Sequence, residues 1–291
     1  MISFRFFSHR PGYGASLLLA LALGACTKEP NNPTYAAPST VTDTSGNAEA
    51  KAFDAYTELK WSDEFTGGAL DQSKWQYEVR DVWFNNELQA TTKSPANLYL
   101  NGGNLIIQAQ KEAYNGREYT SARIVTRDLQ TFRYGRLDVR AKLPKGKGIW
   151  PAIWMLGANE ATEPWPRCGE IDIMELKGSQ PSLNFSTVHY GTSPTPPNKR
   201  EKGTSVLLTT GDFSQDFHTF SLVRAKDEMH FYLDGEEYFT VTPAQVSPYP
   251  FNNPFYLILN VAVGGIFDGD PDGTTTFPQQ MQVDYVKFYQ Y

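Results

Sequence analysis

The chain has 291 residues, of which 40% are hydrophobic, 20% charged and 14% aromatic. With 23 glycines and 19 prolines and so little charge, it argues against disorder and against a coiled coil, and suits a turn-rich β globule. A net charge of −6 without a basic stripe argues against a nucleic-acid partner, and two cysteines are too few for a disulfide framework.

Residues 1–25 read as a secretory signal. Arg5 and Arg10 precede a small and apolar run, Ala15 to Ala25, broken only by Ser16 and too short to span a bilayer. The run ends Leu23-Gly24-Ala25-Cys26, which resembles a bacterial lipoprotein box. The expectation is cleavage before Cys26 and its acylation, giving an exported, membrane-anchored lipoprotein on the periplasmic or cell-surface side of the outer membrane. The alternative is an ordinary signal peptide with an incidental cysteine. Residues 26–56 carry Pro30, Pro33 and Pro38 among Asn, Thr, Ser and Ala, the composition of a flexible tether. Such a segment spans roughly 30 Å. Residues 57–291 are then the folded domain, with Cys168 free.

From Leu59 onward short apolar stretches alternate with turn signals. Asn97–Leu100 and Leu105–Ile107 flank Asn101-Gly102-Gly103-Asn104, a hairpin pattern. Gly135–Leu143 alternates apolar and charged residues along a strand. Gly191–Thr204, with Pro194, Pro196 and Pro197, reads as an exposed loop. Met229–Leu233 and Tyr238–Val241 flank Asp234-Gly235, a second hairpin. Phe255–Val263 is continuously apolar, as in a strand buried on both faces, and Val283–Tyr289 is a last strand. No long amphipathic helix and no repeat stands out. About a dozen strands point to an all-β, two-sheet sandwich.

Gly169-Glu170-Ile171-Asp172-Ile173-Met174-Glu175 is the most informative stretch. Regular alternation puts Glu170 and Asp172 on one face and Glu175 on the other. A β-bulge near Ile173-Met174 would return Glu175 to the first face, lining up three acids within about 10 Å. Crowding raises at least one pKa and leaves a proton donor at neutral pH. Two carboxyls roughly 5–5.5 Å apart serve a retaining glycosidase, one as nucleophile and one as acid/base. The plain alternative is a half-buried strand with isoleucines inward and solvated acids. Trp150, Trp154 and Trp165 lie just upstream. Trp150 and Trp154 share a face of one strand. Core packing would explain each singly; together with the acids they suggest a sugar-lined cleft.

These residues resemble glycoside hydrolase family 16, in its bacterial laminarinase branch, from about Trp61 to Tyr289. The motifs include Trp61-Ser62-Asp63-Glu64-Phe65, Asn85-Asn86-Glu87-Leu88-Gln89, Thr120-Ser121-Ala122-Arg123 and Gly148–Leu156. They continue with Trp165–Gly169, Glu170–Glu175, Val188-His189-Tyr190 and Asn260–Gly265. The resemblance implies a concanavalin A-like β-jelly roll of two antiparallel sheets with a substrate cleft on its concave face. It implies endo-hydrolysis of a β-1,3-glucan, with mixed-linkage glucan as a further substrate, and with net retention. Glu170 would be the nucleophile, Glu175 the acid/base and Asp172 the assisting carboxylate.

By the same resemblance Asn86, Arg123, Trp150, Trp154, Trp165 and His189 surround substrate. His189 could instead be a hydrogen-bonded strand histidine, and Arg123 a structural ion-pair residue. No catalytic cofactor is implied. A structural calcium ion is, held by Glu64, the Gly103 carbonyl and Asp284, oxygen donors that suit calcium. One position departs from the family: Arg224 stands where tryptophan is common. An arginine there could suit an anionic galactan, so an agar- or carrageenan-type hydrolase is an alternative, as is a non-catalytic glucan-binding lipoprotein. The latter should have lost one of the acids, and both are present. Nothing points to an oligomer, and a monomer is expected.

Overall fold

The computed structural model describes residues 45–291. The leader, Cys26 and the first part of the expected tether lie outside the described residues. Two short 3-10 turns, Ser45–Asn47 and Phe53–Ala55, come first. The strands are β1 (Glu58–Asp63), β2 (Gln76–Tyr77), β3 (Gln89–Thr91), β4 (Leu98–Asn101), β5 (Asn104–Tyr114), β6 (Arg117–Ser121), β7 (Arg123–Val125) and β8 (Gly135–Lys142). They continue with β9 (Ile149–Gly157), β10 (Glu170–Leu176), β11 (Leu183–Gly191), β12 (Lys199–Leu207), β13 (His218–Ala225), β14 (Glu228–Leu233), β15 (Glu236–Val241), β16 (Phe255–Val263) and β17 (Gln279–Gln290).

One sheet has ten strands and follows β15-β14-β13-β8-β17-β5-β6-β3, with β1 on β17 and β4 on β5. The other has seven and follows β12-β11-β10-β9-β16-β7-β2. The pairing is antiparallel except between β3 and β6. Both expected hairpins form, β4–β5 and β14–β15. Asp234 and Gly235 take φ of 51° and 87°, the left-handed pair that a tight hairpin turn requires. Part of the excess over the expected dozen comes from β2, β3 and β7, which have only two or three residues each and are too short to show alternation.

β16 explains its own apolar run. Phe255, Leu257, Leu259, Val261 and Val263 face the core between the sheets. Tyr256 and Ile258 face the other way, under Val125, Leu156 and Cys168, with Trp154 and Trp165 packed on top. Burying each large side chain contributes about 1.5–3 kcal/mol.

Three expectations change. Residues 45–56 are not free chain. Tyr56 is fully buried with Val223 and Tyr232, and Phe53 and Tyr291 pack against them. The Ala48 carbonyl accepts from Lys226 N–H at 2.6 Å, and Asn47 Oδ1 accepts from Tyr291 N–H at 2.7 Å. Apolar Phe53 and Tyr56, spaced too irregularly to show a period, decide this. The loop Gly191–Thr204 also ends early: Lys199–Leu207 is strand β12, paired along its length with β11. Its mixed charges mark an edge strand rather than a loop.

Arg224 is the third. It lies in β13, on the ten-stranded sheet, and is 3% exposed. Its guanidinium donates to the carbonyls of Phe132, Phe251 and Asn253 at 3.1, 2.5 and 2.7 Å and sits over the Phe255 ring. It is a tie inside the protein and offers nothing to an anionic glycan.

Strand register gathers the three expected calcium positions at one corner of the ten-stranded sheet. Glu64 follows β1, Gly103 is in the β4–β5 turn and Asp284 is in β17, where Asp63 pairs with Val286 and Leu105 with Val283. Both carboxylates already hold a protein cation. Glu64 Oε1 is 2.9 Å from Lys287 Nζ, and Asp284 Oδ2 is 2.5 Å from Arg140 Nη1.

Candidate active site

β10 lies in the seven-stranded sheet between β9 and β11. Toward β11, Glu170 pairs with His189 and Asp172 with Thr187, but Glu175 pairs with Phe185. Toward β9, Asp172 pairs with Trp154 and Met174 with Ile153. The register therefore slips by one residue at Ile173-Met174, where the sequence called for a bulge. Ile171, Ile173, Met174 and Leu176 are fully buried, whereas Glu170 and Glu175 keep partial exposure on the opposite, open face. Gly169 starts the strand at φ 82°, and a Cβ there would stand 2.8 Å from Pro250. Only glycine lets the chain enter this strand.

His189 Nε2 lies 3.3 Å from Asp172 Oδ2 and 3.6 Å from Glu170 Oε1. Trp150 donates its indole N–H to Glu175 Oε1 at 2.9 Å. Trp154 donates to Asn260 Oδ1 at 2.7 Å. Arg123 is clasped: its Nε is 2.5 Å from Glu78 Oε2, and its guanidinium lies between the rings of Trp83 and Trp154 at 4.5 and 4.7 Å. Arg123 is thus an ion-pair residue and a cleft residue at once. Trp165 sits 6.3 Å from the His189 ring, with Lys199 Nζ 5.4 Å from its centroid. Its indole N–H is buried and meets no acceptor among the described residues. Asn86 is exposed at the rim, on a turn whose Asn85 carbonyl accepts from Ile266 N–H.

Burial drives the electrostatics. Glu170 is pushed up to about 8 by burial first and then by Asp172, with His189 and Arg123 pulling the other way. Glu175 is also pushed up to about 8 by burial and Asp172, against the Trp150 hydrogen bond. Asp172 is raised well above the usual carboxylate range by burial and by Glu201. Such acids share protons rather than titrating singly. Crowding of this kind keeps protons on the cluster near neutral pH, and a proton donor is one half of what double displacement requires. Ligand atoms of Glu170, Asp172 and His189 also lie within 4.8 Å of one another, compact enough for a divalent ion. The same compactness raises proton affinity, so protons compete for that space.

Every substrate residue expected from the sequence lies on the open face or rim of this sheet. Several neighbours were missed. Phe267 lies 4.9 Å from the Trp150 ring and Phe185 lies 5.5 Å from Phe267. Phe267 stands two residues past the Asn260–Gly265 motif, a signal that could have found it. Glu201 Oε2 lies 3.5 Å from His189 Nδ1, hidden by the reading of its strand as a loop.

A family model for glycosyl hydrolases family 16 matches residues 84–287. A β-glucanase of Rhodothermus marinus is 40% identical over 257 residues, covering 80% of this chain and 85% of its own. Glucan endo-1,3-β-glucosidase A1 of Niallia circulans is 39% identical over 256 residues, covering 79% of this chain but only 37% of its own length. Among solved structures, the laminarinase catalytic domain of Thermotoga maritima matches with a TM-score of 0.74 at 39% identity, covering 80% of this chain and 98% of that one. A two-sheet jelly roll, a bulged strand carrying three acids and these matches agree: the chain belongs to glycosyl hydrolase family 16 and is a glycoside hydrolase.

Proposed function

We propose that the chain is a retaining endo-β-1,3-glucanase of the laminarin-cleaving kind, with mixed-linkage β-1,3-1,4-glucan as a second substrate. The observation that carries this is the bulge in β10, which sets Glu170, Asp172 and Glu175 on one face between Trp150, Trp154 and His189. The names of the relatives support the glucan. Arg224, the one residue that favoured a galactan, is buried on the ten-stranded sheet with its guanidinium bonded to three backbone carbonyls.

Glu170 attacks the anomeric carbon. The cations nearest it, His189 and Arg123, favour its ionised form. Glu175 gives its proton to the departing glycosidic oxygen, and a covalent glycosyl ester forms on Glu170. Water then enters, Glu175 takes its proton, and the ester is displaced with the original configuration restored. Trp150 fixes one Glu175 oxygen and leaves the other for the proton. Asp172 keeps the shared proton near the pair. The chemistry needs two carboxyls and water, with no catalytic cofactor. Asn86, Trp154 and Trp165 bind sugar.

Reducing-end release from laminarin, curdlan, mixed-linkage glucan, agarose and carrageenan tests the reading. Laminarin cleavage is expected; cleavage of a galactan alone overturns it. The anchor at Cys26, and with it an outer-membrane position, belongs to the same proposal and is supported by the Leu23–Cys26 pattern. Cys26→Ser should move the protein to the soluble fraction, and persistence with membranes sinks that part. A structural calcium at Glu64, Gly103 and Asp284 is supported by strand register, and the ion would have to displace Lys287 and Arg140. Calcium should then raise the melting temperature and a chelator lower it, with turnover at low temperature unchanged; melts indifferent to both remove the ion.

A further inference from the structure

Three large apolar side chains near the cleft are left open to water: Val82 at 67% exposure, Phe84 at 69% and Ile266 at 71%. They come from two loops far apart in sequence that the fold ties together. Ile266 N–H donates to the Asn85 carbonyl at 2.9 Å, and Glu87 bridges to Gly264. Asn85 and Asn86 both take left-handed φ, 58° and 60°, which turns the chain sharply just after Phe84. Exposed apolar patches beside a groove mark binding surfaces.

Both loops are rooted in the catalytic cleft. From Phe84 a stack runs inward. The Arg80 guanidinium lies 5.8 Å from the Phe84 ring and 5.0 Å from Trp83. Arg123 bridges Trp83 to Trp154, and Trp154 pairs with Asp172. The second loop abuts Trp150: a Cβ on Gly265 would stand 3.3 Å from that indole and 3.0 Å from the Asn85 carbonyl.

We infer that Phe84, Val82 and Ile266 form an apolar ledge that carries the sugars of a β-glucan chain running beyond the catalytic cleft. The inference rests on the glucanase reading. The loops that carry these side chains abut Trp150 and reach Trp154 through Trp83 and Arg123, so the polymer already in the cleft is the ligand in line to reach them. Its chemistry matches: a flat apolar face for sugar C–H groups, with the exposed Asn85 and Asn86 amides beside it for hydroxyls. On this inference the ledge matters most for polymer, which runs further past the three acids than a tetrasaccharide does.

The test compares the double variant Phe84→Ala/Ile266→Ser with the parent on laminarin and on laminaritetraose. For laminarin, KM rises about three- to tenfold, the size of an aromatic contact or two. For laminaritetraose, kcat and KM stay within about twofold of the parent, because no catalytic contact is touched. Phe84→Trp restores the ring face and keeps the parent KM for laminarin. Equal shifts on both substrates, or no shift on laminarin, overturn the ledge while an active parent leaves the glucanase reading standing. A parent inert on laminarin overturns both.

Discussion

On the ten-stranded sheet Arg136 lies 3.1 Å from Asp138, Arg140 lies 2.5 Å from Asp284, and Arg224 meets three carbonyls. On the seven-stranded sheet Glu170, Asp172 and Glu175 crowd one face, with His189 between two of them and Arg123 already bound to Glu78. The first arrangement matches each charge with a partner and stabilises the fold. The second leaves like charges together and stores proton affinity. Crowding of this kind opposes stability and is found where chemistry is done. The same residue type can stand on either side of that divide: Arg224 holds loops, Arg123 faces the cleft.

The largest effects should come from removing the crowded acids. Glu170→Gln should lower turnover on laminarin about a thousandfold or more, and Glu175→Gln about a hundredfold to ten-thousandfold. Stability should move the other way. Both acids have folded-state pKa values of about 8 against an ordinary 4.5, so the fold holds their protons more tightly than the unfolded chain does. Their favourable contribution is complete below about pH 4.5 and is lost as pH rises toward 8. Each Gln variant should therefore gain melting temperature over the parent across that window. A falling melting temperature there would mean that the acids are not crowded.

Arg224→Met attacks the other sheet. It leaves buried carbonyls of Phe132, Phe251 and Asn253 without their donor and should cost about 2–4 kcal/mol by denaturant titration. kcat per folded molecule should not change; a change of substrate preference would reopen the galactan alternative. Starting the chain at residue 57 removes Phe53 and Tyr56 from the ten-stranded sheet. The expected loss is about 2–3 kcal/mol with unaltered kcat, and an unchanged melting curve would restore the flexible-tether reading.

The smallest expected effect sharpens the electrostatics within the cleft. His189 pulls the Glu170 and Glu175 pKa values down. His189→Ala should move the acidic limb of kcat/KM to higher pH by about half a unit to one unit. A limb that stays in place, or moves to lower pH, shows that His189 acts only in binding.

Much of this molecule was legible locally. Alternation in β8 named its inward residues, Asp234-Gly235 announced its turn, and two acids that alternation alone would put on opposite faces called for the bulge in β10. Each is a relation among residues a few positions apart, where backbone period and turn sterics suffice. Tertiary structure decided what depends on distant partners. Glu201 reaches His189 because an edge strand pairs with β11. Residues 45–56 are fixed by Val223, Tyr232 and Tyr291, which lie nearly the whole domain away in sequence. Arg224 was ambiguous until its sheet was known. The loops of Phe84 and Ile266 are joined through the Asn85 carbonyl and the Glu87–Gly264 bridge, between segments far apart in sequence. A strand's period shows which residues share a face; which strand or loop that face meets is set by long-range packing, for which no local pattern carries a signal.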